Sequence, residues 1–236
     1  MHASDLAFVR GMDATRATLM RWNAAPGPVL RRWSAGSVGI ALLLLLAVWL
    51  VASVSTPDPS GMAFVGLTRT PDLEDVARVL TRNALVLALH GFACVAGYLA
   101  GSQLPHEAQR RRGAWRRVHD LAGPLAIAFV TAATLFSLTT QAYVLGNVAA
   151  TLAAQLGASP ALFLLGVLPH ALLELWALFL PLAAWLIASR GGDWHELLAA
   201  TVVTAAIATP ALVIASLVEV YVSPHLVSAL TGYYTL

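Results

Sequence analysis

Residues 35–54 read AGSVGIALLLLLAVWLVASV. The run contains no ionisable side chain. Its length, about 20 residues, is what a helix needs to cross roughly 30 Å of hydrocarbon. A secretory h-region is about 7–15 residues long and follows a short basic segment. Here the run is longer and residues 1–34 precede it, so it reads as a retained transmembrane helix rather than a cleaved signal.

The rest of the chain has the same character. Of 236 residues, 58% are hydrophobic and 11% charged, with a mean hydropathy of +0.74. Soluble domains carry about 25% charged residues. That excludes an ordinary soluble globule, a disordered chain, and a nucleic-acid binder working through a solvated basic face. Cys94 is the sole cysteine, so neither an intrachain disulfide nor a Cys-rich metal site is available.

Four further apolar runs follow, giving spans at about 35–54, 83–101, 121–138, 161–187 and 197–222. Between the first two, Leu73, Val76, Val79 and Leu80 share one helical face, and Asp72, Glu74 and Asp75 suit the positive end of a helix dipole. This predicts a short amphipathic helix at the membrane surface. The stretch 121–158 is too long for one crossing and too short for two. Gly146-Asn147 and Gly157 interrupt it, so 143–156 is expected to form an interfacial or re-entrant helix. The fold class is therefore an all-α polytopic bundle of about five spans. A basic arm, 1–34, precedes a single transmembrane domain, 35–236.

All fourteen basic residues are arginines. Arg10, Arg16, Arg21, Arg31 and Arg32 lie on the arm. Arg110, Arg111, Arg112, Arg116 and Arg117 lie between spans two and three, and Arg190 between spans four and five. Five spans put these eleven on one side, leaving Arg69, Arg78 and Arg82 on the other. By the positive-inside rule the N-terminus is cytoplasmic and the C-terminus external, in an inner or plasma membrane. The arginine blocks read as topology determinants in contact with anionic lipid heads.

Few ionisable groups sit at membrane depth: His90, His170, Glu174 and Glu219. Such groups are costly in lipid and normally face a protein interior with partners. His170 and Glu174, spaced i,i+4, share a face. Pro169 removes one backbone donor and frees the Leu165 carbonyl. Glu174 and Glu219 come from different spans, so each is expected to have a polar partner on another helix. Three readings stay open: a buried polar knot that fixes helix packing, a proton or ion path, and a zinc site. The protease pattern His-Glu-x-x-His is absent, and no metal or other cofactor is expected. Gly97 and Gly101, four apart, form a close-packing motif for membrane helices. Intramolecular packing is its first reading and a homo-oligomer its second. Trp176, Trp185 and Trp194 read as core or interface anchors. No phosphate loop or catalytic triad spacing is present, which favours a scaffold or conduit over an enzyme.

Leu168-Pro169-His170-Ala171-Leu172-Leu173-Glu174-Leu175 resembles the signature of the stage II sporulation protein M family. Thr81-Arg82-Asn83, followed by the stretch from Gly91 to Gly101, is similar to that family's second helix. Glu219-Val220-Tyr221-Val222-Ser223-Pro224 is similar to its closing element. The resemblance runs from about Arg78 to Pro224. Two departures stand out: Ala171 follows the histidine where the family has glycine, and the family's Asn-Gly reads Gly146-Asn147. Position by position, the resemblance implies signature residues Pro169, His170, Glu174, Glu219 and Pro224. It also implies a membrane component that anchors hydrolases remodelling peptidoglycan and is not itself hydrolytic. The expected function is thus a non-enzymatic scaffold in the lipid bilayer with membrane or envelope protein partners and no nucleic acid. The alternative is a transporter or channel using the His/Glu groups as a polar path.

Overall fold

The computed structural model describes residues 7–105 and 113–233, with side chains described for 11–105, 113 and 121–233. In chain order the helices are α1 (Ala7–Ala24), α2 (Pro26–Val54), α3 (Leu73–Tyr98), α4 (Ala114–Gln155), α5 (Pro160–Gly191), α6 (Leu197–Leu217) and α7 (Ser223–Thr231). A π-helical turn, Leu99–Gln103, extends α3, and another, Val218–Val222, joins α6 to α7. Among the described residues the sole β feature is an isolated bridge between Val65 and Arg69. The central arginine block, Arg110, Arg111 and Arg112, lies outside the described residues, as do the side chains of Arg10, Arg116 and Arg117.

Five segments are long and apolar enough to cross a membrane: Pro26–Val54, Leu73–Gln103, Leu121–Gln155, Pro160–Gly191 and Trp194–Thr231. The chain is an all-α, multi-pass membrane protein. Every expected span lies within one of these longer segments, which extends past it at one end or both. The segment expected to be a basic arm holds α1 and the start of α2.

Two expectations are corrected. First, the amphipathic stretch beginning at Leu73 is not a separate surface helix but the opening turns of α3. Asp72 caps it reciprocally: the Asp75 N–H donates to Asp72 Oδ1 at 3.0 Å and the Asp72 N–H to Asp75 Oδ2 at 3.2 Å. This is the capping-box arrangement that satisfies two otherwise orphaned donors. Second, no independent interfacial or re-entrant helix exists at 143–156. Ala114–Gln155 is one helix of 42 residues, about 63 Å long at a rise of about 1.5 Å per residue. The Asn147 side chain stays within the helix, donating to the Tyr143 carbonyl at 2.7 Å. Gly146 marks a close approach, not a break. A Cβ there would lie 2.5 Å from Val51 Cγ1 and 3.0 Å from the Val48 carbonyl oxygen.

The chain divides into two compact units. The first comprises Met1–Ser37, Val86–Thr134 and Leu178–Ala208. In it Trp22 and Trp33 meet edge to face at 5.0 Å, and Arg21 of α1 pairs with Glu196. Gly97 and Gly101 supply room for large side chains: Trp185 and Leu197 lie against Gly97, and Trp194 lies against Gly101.

The second unit comprises Val38–Leu85, Leu135–Ala177 and Thr209–Leu236. Its core is built from small residues of α4, namely Ala149, Ala150 and Ala153, against Ala52, Phe163, Val167 and Val227. Small side chains let membrane helices approach closely, where packing rather than hydrophobic transfer holds them together. The loop after α2 folds into this unit. Phe64 stacks edge to face on Phe163 at 5.9 Å, and the Asp58 N–H donates to Thr151 Oγ1 at 3.0 Å. Ser60 donates to Asp58 from both its backbone N–H and its hydroxyl, which holds the Asp58 carboxyl below the usual carboxylate range.

Gly146→Ala should therefore destabilise the protein by about 1–3 kcal/mol, the cost of overpacking a close contact. Gly39→Ala, in α2 with nothing within 4 Å of its added Cβ, should be neutral or stabilising by up to about 1 kcal/mol. Reversible unfolding in detergent compares the two. Equal effects would contradict the close approach at Gly146.

Candidate functional site

In the second unit, α3, α5 and the α6–α7 junction each bring polar side chains to one place. From α5 come His170 and Glu174, one turn apart. From α3 come Arg82 and Asn83. From the junction come Glu219 and Ser223. The junction is shaped by Pro224, which has no N–H to offer the preceding turn. Ahead of it the backbone widens into a π-helical turn over Val218–Val222, closed by the Ser223 N–H on the Val218 carbonyl, five residues back. Such widened turns re-aim side chains and recur at functional sites. Gly66 of the loop, with φ of +86°, passes so near that a Cβ would sit 2.4 Å from Pro224 Cγ. Only glycine combines that backbone conformation with that clearance.

The bonds across helices are specific. His170 Nδ1 and Ser223 Oγ are hydrogen-bonded at 2.6 Å, both residues buried. Arg82 Nη2 pairs with Glu219 Oε1 at 3.9 Å. The Glu174 carboxyl has Arg82, Asn83 and Glu219 as electrostatic neighbours. Asn83 and Glu219, each with a buried side-chain polar atom, are the hydrogen-bonding neighbours of the Glu174 carboxyl.

The cluster borders a cavity of about 390 Å³. His170, Glu174, Glu219, Arg82, Arg78 and Asp75 form its polar lining, and Leu45, Val148, Phe163 and other apolar side chains form its walls. Asp75 is 3% exposed. It is gripped by Arg69, whose Nη1 donates to Oδ2 at 2.8 Å and whose Nη2 meets Oδ1. That bond tightens the Arg69 guanidinium's hold on its proton. Arg78 pairs with Glu74 at 3.0 Å and approaches Asp75 at 3.6 Å.

The four ionisable residues singled out from the sequence thus separate. His170, Glu174 and Glu219 belong to the second unit and share the cavity. His90 belongs to the first unit, where its Nδ1 donates to the Leu178 carbonyl at 2.8 Å and its ring lies 5.6 Å from Phe179. The Cys94 thiol, one turn further along α3, donates to the Pro181 carbonyl at 3.2 Å. His90 and Cys94 thus occupy α5 carbonyls near a proline. Among the described residues no three of His, Cys, Asp and Glu are placed to hold one metal ion. Arg82, Asn83 and Ser223 complete the cluster and were not among the expected site residues. Their signal was the resemblance, since Thr81-Arg82-Asn83 and Ser223 lie in the stretches similar to the family's second helix and closing element.

Membrane-length helices tied by an intramembrane cluster of acidic, basic and imidazole groups define a polytopic membrane protein with a built polar site. The family model for stage II sporulation protein M matches residues 122–224. That stretch contains Pro169, His170, Glu174, Glu219 and Pro224, so the resemblance first seen in these residues is found over α4, α5, α6 and the junction. The stretch from Arg78 to Leu121, which carries the similarity in the second helix, falls outside the match. No curated protein and no solved structure matches the chain.

The His170–Ser223 bond should register as a coupling energy. In a double-mutant cycle of His170→Ala and Ser223→Ala, the two losses of stability should be non-additive by about 1 kcal/mol, the net worth of a buried hydrogen bond. Reversible detergent unfolding measures it. Strict additivity would show that the two groups do not act together.

Proposed function

We propose that this chain is a non-enzymatic membrane scaffold, set in an inner or plasma membrane with its N-terminus cytoplasmic and C-terminus external. In this reading it anchors partners that remodel the cell envelope. The observation that carries it is the inward bonding of the cluster. His170 is bonded to Ser223, Glu219 pairs with Arg82, and Pro224 packs on Gly66. Together these bonds tie α3, α5, the α6–α7 junction and the loop after α2 to one another. Fixed polar ties of this kind suit a docking platform, which must hold its form without turnover. The similarity to stage II sporulation protein M supports the envelope context.

A proton or ion path is the second reading, favoured by the cavity beside Glu174 and Glu219. His90 is not among the residues lining that cavity and bonds through Nδ1 to the Leu178 carbonyl.

The two readings give opposite results in liposomes. A scaffold reconstituted in pure form should carry no proton, sodium or potassium flux above protein-free vesicles. Crosslinking in cells, followed by purification in mild detergent, should recover an envelope hydrolase or synthase. A flux that Glu174→Ala abolishes while the fold persists would overturn the scaffold reading.

A further inference from the structure

We infer that the groove between α1 and the ends of α3 and α6 binds an anionic glycerophospholipid, with Arg16 on the phosphate and an acyl chain along the groove. Its lining residues all belong to the first unit, so the inference is independent of the scaffold reading.

The helix α1 has two faces. Gly11, Thr18 and Trp22, spaced i, i+7 and i+11, share one face and are buried. A Cβ on Gly11 would lie 3.2 Å from both Leu198 Cδ1 and the Tyr98 hydroxyl oxygen, so α1 rests directly on α3 and α6. Met12, Arg16 and Met20, spaced i, i+4 and i+8, form an outer stripe, and all three are exposed. An arginine with an exposed methionine one turn to either side suits a helix lying in a membrane interface. Other polar groups here are engaged within the protein. The Thr15 hydroxyl donates to the Gly11 carbonyl at 2.7 Å, and the Tyr98 hydroxyl accepts from Gln103 Nε2 at 2.7 Å. Arg21 pairs with Glu196. Among the described residues no carboxylate lies within ion-pair distance of Arg16, Asp13 included.

The groove beside this stripe has a volume of about 570 Å³, within the range of about 300–1,000 Å³ typical of small-molecule sites. Met12, Leu19, Met20, Val95, Leu99 and Leu198 give it apolar walls, and Arg16 is its one charged lining residue. Depth follows from the spans. One membrane-length segment ends at Gln103 and another begins at Trp194. Leu99 and Leu198 each lie about one helical turn inside those limits, so the groove runs from the edge of the hydrocarbon toward the headgroups. A soluble phosphate would satisfy Arg16 and leave the walls bare. A zwitterionic lipid would cover the walls but bring its own cation to compete for the phosphate. An anionic lipid meets both needs, since a guanidinium takes a phosphate bidentately. Leu19 and Met20 also border a second groove of about 460 Å³ with no charged lining residue, which gives a second chain its place. Arg31 and Arg32 line neither groove, which sets Arg16 apart from the rest of the basic arm.

The test uses the full chain, delipidated in detergent and titrated with single lipids of matched chains, with native mass spectrometry following the first bound copy. Phosphatidylglycerol should bind about tenfold more tightly than phosphatidylcholine, the worth of one charge-assisted bond. Arg16→Gln should abolish that preference. Arg31→Gln removes the same charge from outside the groove and should leave the preference intact. Leu99→Trp, at a residue 48% exposed, narrows the groove without altering charge and should weaken phosphatidylglycerol binding. Equal binding of the two lipids by the unaltered protein would overturn the inference. So would undiminished binding to Leu99→Trp. A loss in Arg31→Gln as large as in Arg16→Gln would overturn it by revealing a diffuse basic surface. Competition by free glycerol phosphate as strong as by the lipid would do so by making the site one for a soluble anion.

Discussion

In hydrocarbon a backbone N–H or C=O has no water to fall back on, so every interruption of a helix must be repaired by protein groups nearby. The junction at Pro224 shows the consequences. The proline cannot donate, and the helix answers with a widened turn whose closing bond runs from the Ser223 N–H to the Val218 carbonyl. That turn carries Glu219 and presents the Ser223 hydroxyl to His170. The proline ring then meets Gly66, which ties in the loop after α2. The local solution to one missing donor thus organises the polar cluster of the second unit. Prolines also mark the first unit, where His90 and Cys94 bond to the Leu178 and Pro181 carbonyls of α5.

The close approach at Gly146 does comparable work by different means. With no side chain, Gly146 lets α4 meet the backbone of α2 at the Val48 carbonyl. The alanines that follow, Ala149, Ala150 and Ala153, continue the thin face. Phe163 and Val227 can then pack over it. In a membrane such contacts gain dispersion energy that lipid tails match only partly, so a flush fit matters more than apolar character.

The fold class was legible because length and hydropathy alone forbid alternatives. Runs of about 20 apolar residues are helices in a bilayer for want of any other way to satisfy their backbone. The interior of α4 was misread because glycine and asparagine have two meanings. In a soluble chain Gly-Asn signals a turn. In this helix the glycine gives clearance and the asparagine amide bonds one turn back to Tyr143, so nothing is left for a turn to satisfy. The His170–Glu174 pair was visible from its spacing, and Glu219 from its depth. Arg82 showed only in the resemblance of Thr81-Arg82-Asn83 to the family's second helix, because an arginine near a span end reads equally well as a topology signal. Its role depends on meeting Glu219, a contact spanning more than a hundred residues of sequence that no local pattern encodes.

The charges divide into two kinds, and the difference bears on mechanism. Arg69 with Asp75, and Arg78 with Glu74, lie at the start of α3 and fasten a loop and a helix end. The exposed Arg78–Glu74 pair contributes about 0–1 kcal/mol, whereas Asp75 is buried and removing Arg69 would leave its charge uncompensated. Arg82, Glu174 and Glu219 are different. Two carboxyls that are hydrogen-bonding neighbours meet beside one largely exposed guanidinium, an arrangement that purely structural packing would favour replacing with apolar side chains. A knot made solely to hold helices together would be better served by His170–Ser223 alone, a neutral bond with both partners buried. Glu174 and Glu219 therefore mark where the cluster does more than fasten helices, and both line the cavity of the second unit.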